Sequence, residues 1–241
     1  MIRIERRELP STIVKKLRDK TGKLAAAGSK PVRARSMWRG AKALQRDLRD
    51  QLQLMAMGIN SCMYCGDGLS PDIDHFEPLS LAPERTFDWL NHLLACAHCN
   101  SHHKRDLFPR DQLGRPMLVD PTCEEPADHL EFILSTGDYE PLTVRGEITV
   151  ETFKLNRDAL RRSRLAAVHM FSSMLRDRSR AMADGNHGRV EEVTASLREQ
   201  PFAGVLYAML AYKDQPAAAL VIGTDTLQAL SDPTVNFWTL P

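Results

Sequence analysis

Apolar residues in the stretch from 36 to 57 recur at steps of three and four. Trp38, Ala41, Leu44, Leu48, Leu52 and Met55 fall on one stripe, which predicts an amphipathic helix. Arg39, Lys42, Arg46 and Arg49 lie largely outside that stripe, so the helix carries a basic face. Ahead of it, residues 1 to 35 are punctuated by Pro10, Gly22, Gly28 and Pro31 and read as an irregular basic arm. A second long periodic stretch runs from Thr152 to about Ala183. Its buried side is expected to hold Phe153, Leu155, Leu160, Leu165, Val168, Phe171 and Leu175, and Gly185 and Gly188 end it. Arg161, Arg162 and Arg164 are assigned to its solvated face. Helices follow at about 189–199 and 202–213, then a weak helix and an irregular tail from Ala217. Between the two long helices, residues 111 to 150 are rich in turn signals. There MLVDP and PLTVRGEITVE read as short strands or a hairpin, the latter turning near Arg145 and Gly146.

Composition adds bounds. The chain has 241 residues, 43% hydrophobic and 26% charged, ordinary for a water-soluble globular protein. No apolar run reaches the roughly 18 residues of a membrane span, and the opening MIRIERRELP lacks the apolar core of a signal peptide. The expected location is therefore the cytoplasm, with no membrane partner. The net charge of +1 hides an asymmetry: residues 1–60 carry 15 Lys/Arg and 5 Asp/Glu, the remainder 17 and 26. A basic N-terminal segment suits either phosphates or the acidic remainder of the chain itself.

Cysteines carry the sharpest chemistry. Cys62 and Cys65 form one Cys-x-x-Cys pair, and 30 residues later Cys96 and Cys99 form another. Four thiolates delivered by two tight turns suit tetrahedral zinc. Gly66 and Gly68 after the first pair fit a zinc knuckle. A thioredoxin-like redox pair would need a βαβ context that is missing, and would leave the second pair unexplained. Cys123 stands apart and reads as a buried or inert thiol. Between the pairs lies DIDHFEP, residues 72–78, whose alternation suits a short strand with adjacent Asp74 and His75 facing opposite ways. After the second pair, Asn100 and His103 share a helical face with Lys104, and His102 points away. A strand carboxylate, a strand imidazole and a helix amide or imidazole beside a zinc form the parts of a hard-metal site with a general base. Asp72, Glu77, His92, His98 and His102 receive no catalytic role, and Trp89 is assigned to the core.

In order and spacing, Cys62-x-x-Cys65, Asp74-His75-x-x-Pro78, Asn91, Cys96-x-x-Cys99 and Asn100 resemble the HNH (ββα-metal) endonuclease family in its four-cysteine zinc form. The resemblance implies His75 as general base, Asp74 as ligand to a catalytic Mg²⁺ or Mn²⁺, and Asn91 as the residue holding the loop and orienting His75. It implies Asn100 as second metal ligand where many relatives have His, with His103 as the alternative imidazole. It also implies 5′-phosphate and 3′-hydroxyl products. Lys104 sits one residue later than the family's usual basic residue. Lys104, Arg105, Arg39, Lys42 and Arg46 are candidate nucleic-acid contacts. MIRIER, Phe108-Pro109 and LNRDALRRSR resemble, more loosely, the HNH subunit of Septu-type and retron-associated anti-phage systems, in which the nuclease works beside an ABC/SMC-like ATPase. The expected fold is α+β. Residues 1–58 form the basic arm and helix, 59–110 a zinc-bound HNH unit, and 111–241 a mainly helical region for partner docking. The expected substrate is nucleic acid, DNA first. The competing expectation is a catalytically inactive, zinc-stabilised scaffold that binds nucleic acid or an ATPase.

Overall fold

A computed structural model describes residues 1–68, 72–232 and 235. The architecture is α+β: a small ββ hairpin and its zinc-type cysteine cluster sit among helices, as expected. The basic segment departs from the irregular reading. It folds as α1 (Ser11–Ala26), α2 (Pro31–Arg39) and α3 (Lys42–Gln53). Ile13, Leu17 and Leu24 give α1 a buried stripe. Gly28, at φ +82°, ends α1, and Pro31 opens α2 at the position where a missing N–H costs least. The stripe read from Trp38 to Met55 is real, but Gly40 and Ala41 break it into two helices.

The hairpin pairs β1 (Asp72–His75) with β2 (His92–Ala95), antiparallel, with Asp74 opposite Leu93 and His75 opposite His92. The long connection folds into two 3-10 turns, Pro83–Phe87 and Trp89–Asn91. The first packs on α1 and α2, and α3 packs on both strands. A second hairpin joins β3 (Leu130–Ile133) to β4 (Asp138–Pro141). The expected strand over PLTVRGEITVE is instead the last residue of β4, a two-residue link and the helix α4 (Val144–Phe153). Thr143 caps α4, its hydroxyl accepting from Gly146 N at 3.1 Å. Thr149, Val150 and Phe153 bury one helical side, which outweighs the strand preference of the β-branched run. MLVDP forms no ladder either: Leu118 and Val119 are fully buried in irregular chain.

Lys154, left-handed at φ 47°, separates α4 from α5 (Asp158–Ala183), so the second long helix is also two. Then come α6 (His187–Glu199), α7 (Ala203–Tyr212), α8 (Ala218–Ile222) and α9 (Thr224–Leu230). Part of the expected irregular tail lies outside the described residues. Arg164 is not on a solvated face: it is 1% exposed, donates to Gly137 O at 3.0 Å and stacks on the Tyr139 ring. Arg161 pairs with Asp138, and Arg162 is exposed. One hydrophobic cluster runs from Ile4 to Val235 and includes all four paired cysteines. No described helix is long and apolar enough to cross a membrane.

Candidate functional site

The cysteine cluster forms first. Gly66, at φ +81°, lets the chain turn so that its N–H reaches Cys62 O at 2.8 Å. On the second pair, Asn100 N reaches Cys96 O at 2.9 Å. Cys62, Cys65, Cys96 and Cys99 are buried, with their sulfurs within 4.8 Å of one another. Cys65 and Cys96 lie 3.7 Å apart, close to the ~3.8 Å edge of a tetrahedron built from zinc–sulfur bonds of about 2.3 Å. Burial pushes the Cys62 thiol up, while hydrogen bonds from the Cys62 thiol draw Cys65 and Cys96 down. Such a set ionises together only around a cation, so the residues fit a zinc ion. Among the described residues no second trio of His, Cys, Asp or Glu is gathered this closely. Cys123 is an exposed residue whose sulfur is only partly covered; that partial burial and neighbouring Asp120 push its thiol up, away from reactivity.

The strand parity separates Asp74 from His75. His75 turns toward His92 and Trp38. Its ring lies 4.9 Å from His92 and 4.6 Å, edge-on, from the indole. Trp38 in turn stacks on His92 at 5.2 Å. Both imidazoles place Nε2 3.0 Å from the carbonyl oxygen of Thr86. A carbonyl can only accept, so both rings carry their proton on Nε2. Nδ1 of His75 is then the lone-pair nitrogen, and among the described residues no group bonds it. Burial lowers the His75 pKa, with the Thr86 bond opposing, and burial followed by His75 itself lowers His92 further. Both rings are neutral at pH 7.

Asn91 fixes the loop that carries Thr86. It is fully buried. Its Oδ1 accepts from Glu77 N at 2.8 Å, and its Nδ2 donates to Glu77 O at 3.0 Å and Arg85 O at 3.4 Å. Glu77 itself bridges Arg85 and Arg110.

Asp74 points the other way into a closed polar pocket. Its Oδ2 accepts from Tyr64 Oη at 2.7 Å. Lys104 Nζ lies 3.1 Å from Oδ1 and 3.0 Å from Oδ2, and also donates to His75 O at 2.7 Å. Burial and Asp74 raise the Tyr64 pKa, so the phenol keeps its proton and donates. Both carboxylate oxygens are engaged and the side chain is 4% exposed. In this conformation Asp74 does not offer a site to a catalytic metal. Lys104 is likewise no surface phosphate contact: it is wholly buried. The turn His98–Lys104 is a π-helix, not the regular helix expected. A π-turn absorbs one extra residue, which accounts for the displaced lysine and turns it inward. Asn100 and His103 are half-buried on this turn, and His103 Nε2 is buried without a partner among the described residues. His98 and His102 are exposed, with their Nδ1 atoms 3.4 Å apart.

Arg39, Lys42, Arg46 and Arg105 are exposed. Arg49 is committed to Asp72 at 3.0 Å. Trp89, half-buried, holds Arg6 over its ring and packs against the core. Thr86, Tyr64, Trp38 and the second imidazole of His92 were not singled out as site residues from sequence. Thr86 acts through its main chain, which no side-chain pattern marks; the DWLNH stretch, with a histidine opposite the candidate base, was the available signal for His92.

Residues 62–106 match the HNH endonuclease family. This segment is therefore a nuclease-type unit, and its matched span contains the cysteine cluster, Asp74, His75, Asn91 and Lys104. Two relatives extend the likeness. The chain is 27% identical over 115 residues to the Septu protein PtuB of Bacillus thuringiensis, covering 44% of this chain and 41% of that protein. It is 30% identical over 90 residues to the Septu protein PtuB of Bacillus mycoides strain KBAB4, covering 32% and 30%. The match thus spans less than half the length of either relative. No solved structure matches.

Proposed function

We propose that this chain is a metal-dependent endonuclease that hydrolyses phosphodiester bonds in nucleic acid, DNA before RNA, in the cytoplasm of a prokaryote. It serves there as effector of an anti-phage system beside an ABC/SMC-like ATPase. The observation that carries the catalytic part is the state of His75: neutral, proton held on Nε2 by Thr86, Nδ1 left as a base. Attack by water on a phosphodiester needs such a base, and an imidazole kept neutral near pH 7 performs the task with little dependence on bulk pH. A bound Mg²⁺ or Mn²⁺ would offset charge developing on the phosphate. Asp74 and either Asn100 or His103 are the ligands the HNH pattern assigns. The defence role rests on the two Septu relatives, and the ATPase on the system resemblance. The exposed Arg39, Lys42 and Arg46, on helices that wall His75 and back the hairpin, supply phosphate contacts.

One observation favours a second reading. Asp74 is saturated by Tyr64 and Lys104, as it would be in an inactive zinc-stabilised scaffold. Incubating zinc-loaded protein with supercoiled plasmid and with structured RNA, in Mg²⁺ or Mn²⁺ against EDTA, separates the two. Metal-dependent nicking supports the nuclease and identifies its substrate. Intact substrates throughout, also when an ABC/SMC-like ATPase is added, support the scaffold.

A further inference from the structure

We propose that Lys104 is the resident cation of the Asp74 pocket, and that a divalent metal ion reaches Asp74 only when Lys104 withdraws. The proposal deepens the nuclease reading and rests on it for the assignment of Asp74 as a metal ligand. An ammonium has three N–H donors. Those of Lys104 have three acceptors in reach: Asp74 Oδ1, Asp74 Oδ2 and His75 O. The side chain is 0% exposed. Tyr64 fills a further lone pair of the carboxylate. A second cation on the same carboxylate would sit within a few ångströms of the ammonium, where repulsion in a buried pocket is strong. Lys104 and a metal ion therefore compete.

The backbone around Lys104 is built to let it move. The π-turn is closed by Arg105 N donating to Asn100 O at 2.7 Å. Arg105 itself holds φ 49° and ψ −118°, a region that residues with a Cβ avoid. Tightening the turn toward α geometry would release both the strain and the inward rotation of Lys104. One such movement would clear Asp74. Outside the pocket, Lys104 would lie on the turn beside exposed His102 and Arg105, where a phosphate could receive it.

The test is Mn²⁺ binding to the zinc-loaded full chain without nucleic acid, read from free Mn²⁺ by electron paramagnetic resonance. A pocket closed nine-tenths of the time weakens apparent affinity about tenfold, so Lys104→Met should bind Mn²⁺ at least about tenfold more tightly than wild type. Adding Asp74→Asn should abolish that gain. Equal affinity in Lys104→Met, or a gain that survives Asp74→Asn, overturns the proposal. Because removal of Lys104 strains the pocket, the wild type gives an independent reading. The buried ammonium should show a protected ¹⁵N–¹H₃ signal near the Tyr64 ring, lost on saturation with Mg²⁺. Retention of that signal while substrate is cut would overturn the latch and leave the nuclease reading standing. Its loss without cleavage would support the latch and count against the nuclease.

Discussion

Replacing Asn91 by Ala isolates the device that positions the base. The side chain is fully buried and makes two short bonds to Glu77, at 2.8 and 3.0 Å, and a longer one to Arg85 O at 3.4 Å. Truncation leaves the Glu77 N–H and C=O without partners in a half-buried loop. Each such orphan costs about 1–3 kcal/mol, and the longer bond adds little. The expected loss is about 3 kcal/mol, which for a chain of this size lowers the melting temperature by about 10 °C. A purely structural cost would stop there. Thr86, however, sits at the end of the same loop and holds His75 Nε2 at 3.0 Å. Freed from Asn91, the loop should admit water, and the lowered His75 pKa should return toward the ordinary imidazole value of about 6.5. Urea unfolding measures the first effect, and ¹H–¹⁵N NMR titration of the histidines the second. A loss under about 1 kcal/mol, or an unchanged His75 titration, would refute the argument that Asn91 sets the base through the loop.

Three further outcomes follow from the same geometry. Purified protein should carry one tightly held zinc; stripping it with a thiol reagent and chelator should collapse the 62–106 unit by circular dichroism, whereas full retention of structure would exclude a structural metal. Stability should be flat with pH above about 6.5 and fall below it, because the unfolded chain protonates His75 and His92 while burial keeps the folded rings neutral to lower pH; a urea midpoint that rises on acidification would contradict this. Gly146→Ala should destabilise by about 1–3 kcal/mol, since the added Cβ would lie 2.0 Å from His129 O, and an unchanged melting temperature would show that the α4 packing is wrong.

Much of the site was legible in the sequence because its chemistry is carried by side chains at fixed spacing. The two cysteine pairs, the strand through Asp74 and His75, and the loop-holding Asn91 all stand where their pattern placed them. The α4 helix was not legible: its β-branched residues read as strand, and only the Thr143 cap and burial against β4 decide otherwise. The Thr86 carbonyl was invisible because every residue has one, and only a folded loop aims it at two imidazoles. Lys104 read as a nucleic-acid contact because it stands one residue past the basic position of the resembled motif. Its burial depends on a π-turn, a backbone choice that one extra residue in the motif hints at without specifying. Arg164 was misplaced for a related reason. Its charge, not its helical phase, put it with the solvated arginines: it stands four residues after Leu160 and four before Val168, on the buried stripe, where the β3–β4 hairpin folds over it and supplies Gly137 O and the Tyr139 ring.

The most direct test of the account is plasmid nicking in Mg²⁺ by wild type beside His75→Ala, at matched zinc content and melting temperature. If His75 Nδ1 takes the proton from the attacking water, the variant should cut about 10²- to 10⁴-fold more slowly. Nicking at the wild-type rate by a zinc-loaded, folded His75→Ala would place the chemistry elsewhere and contradict the central claim.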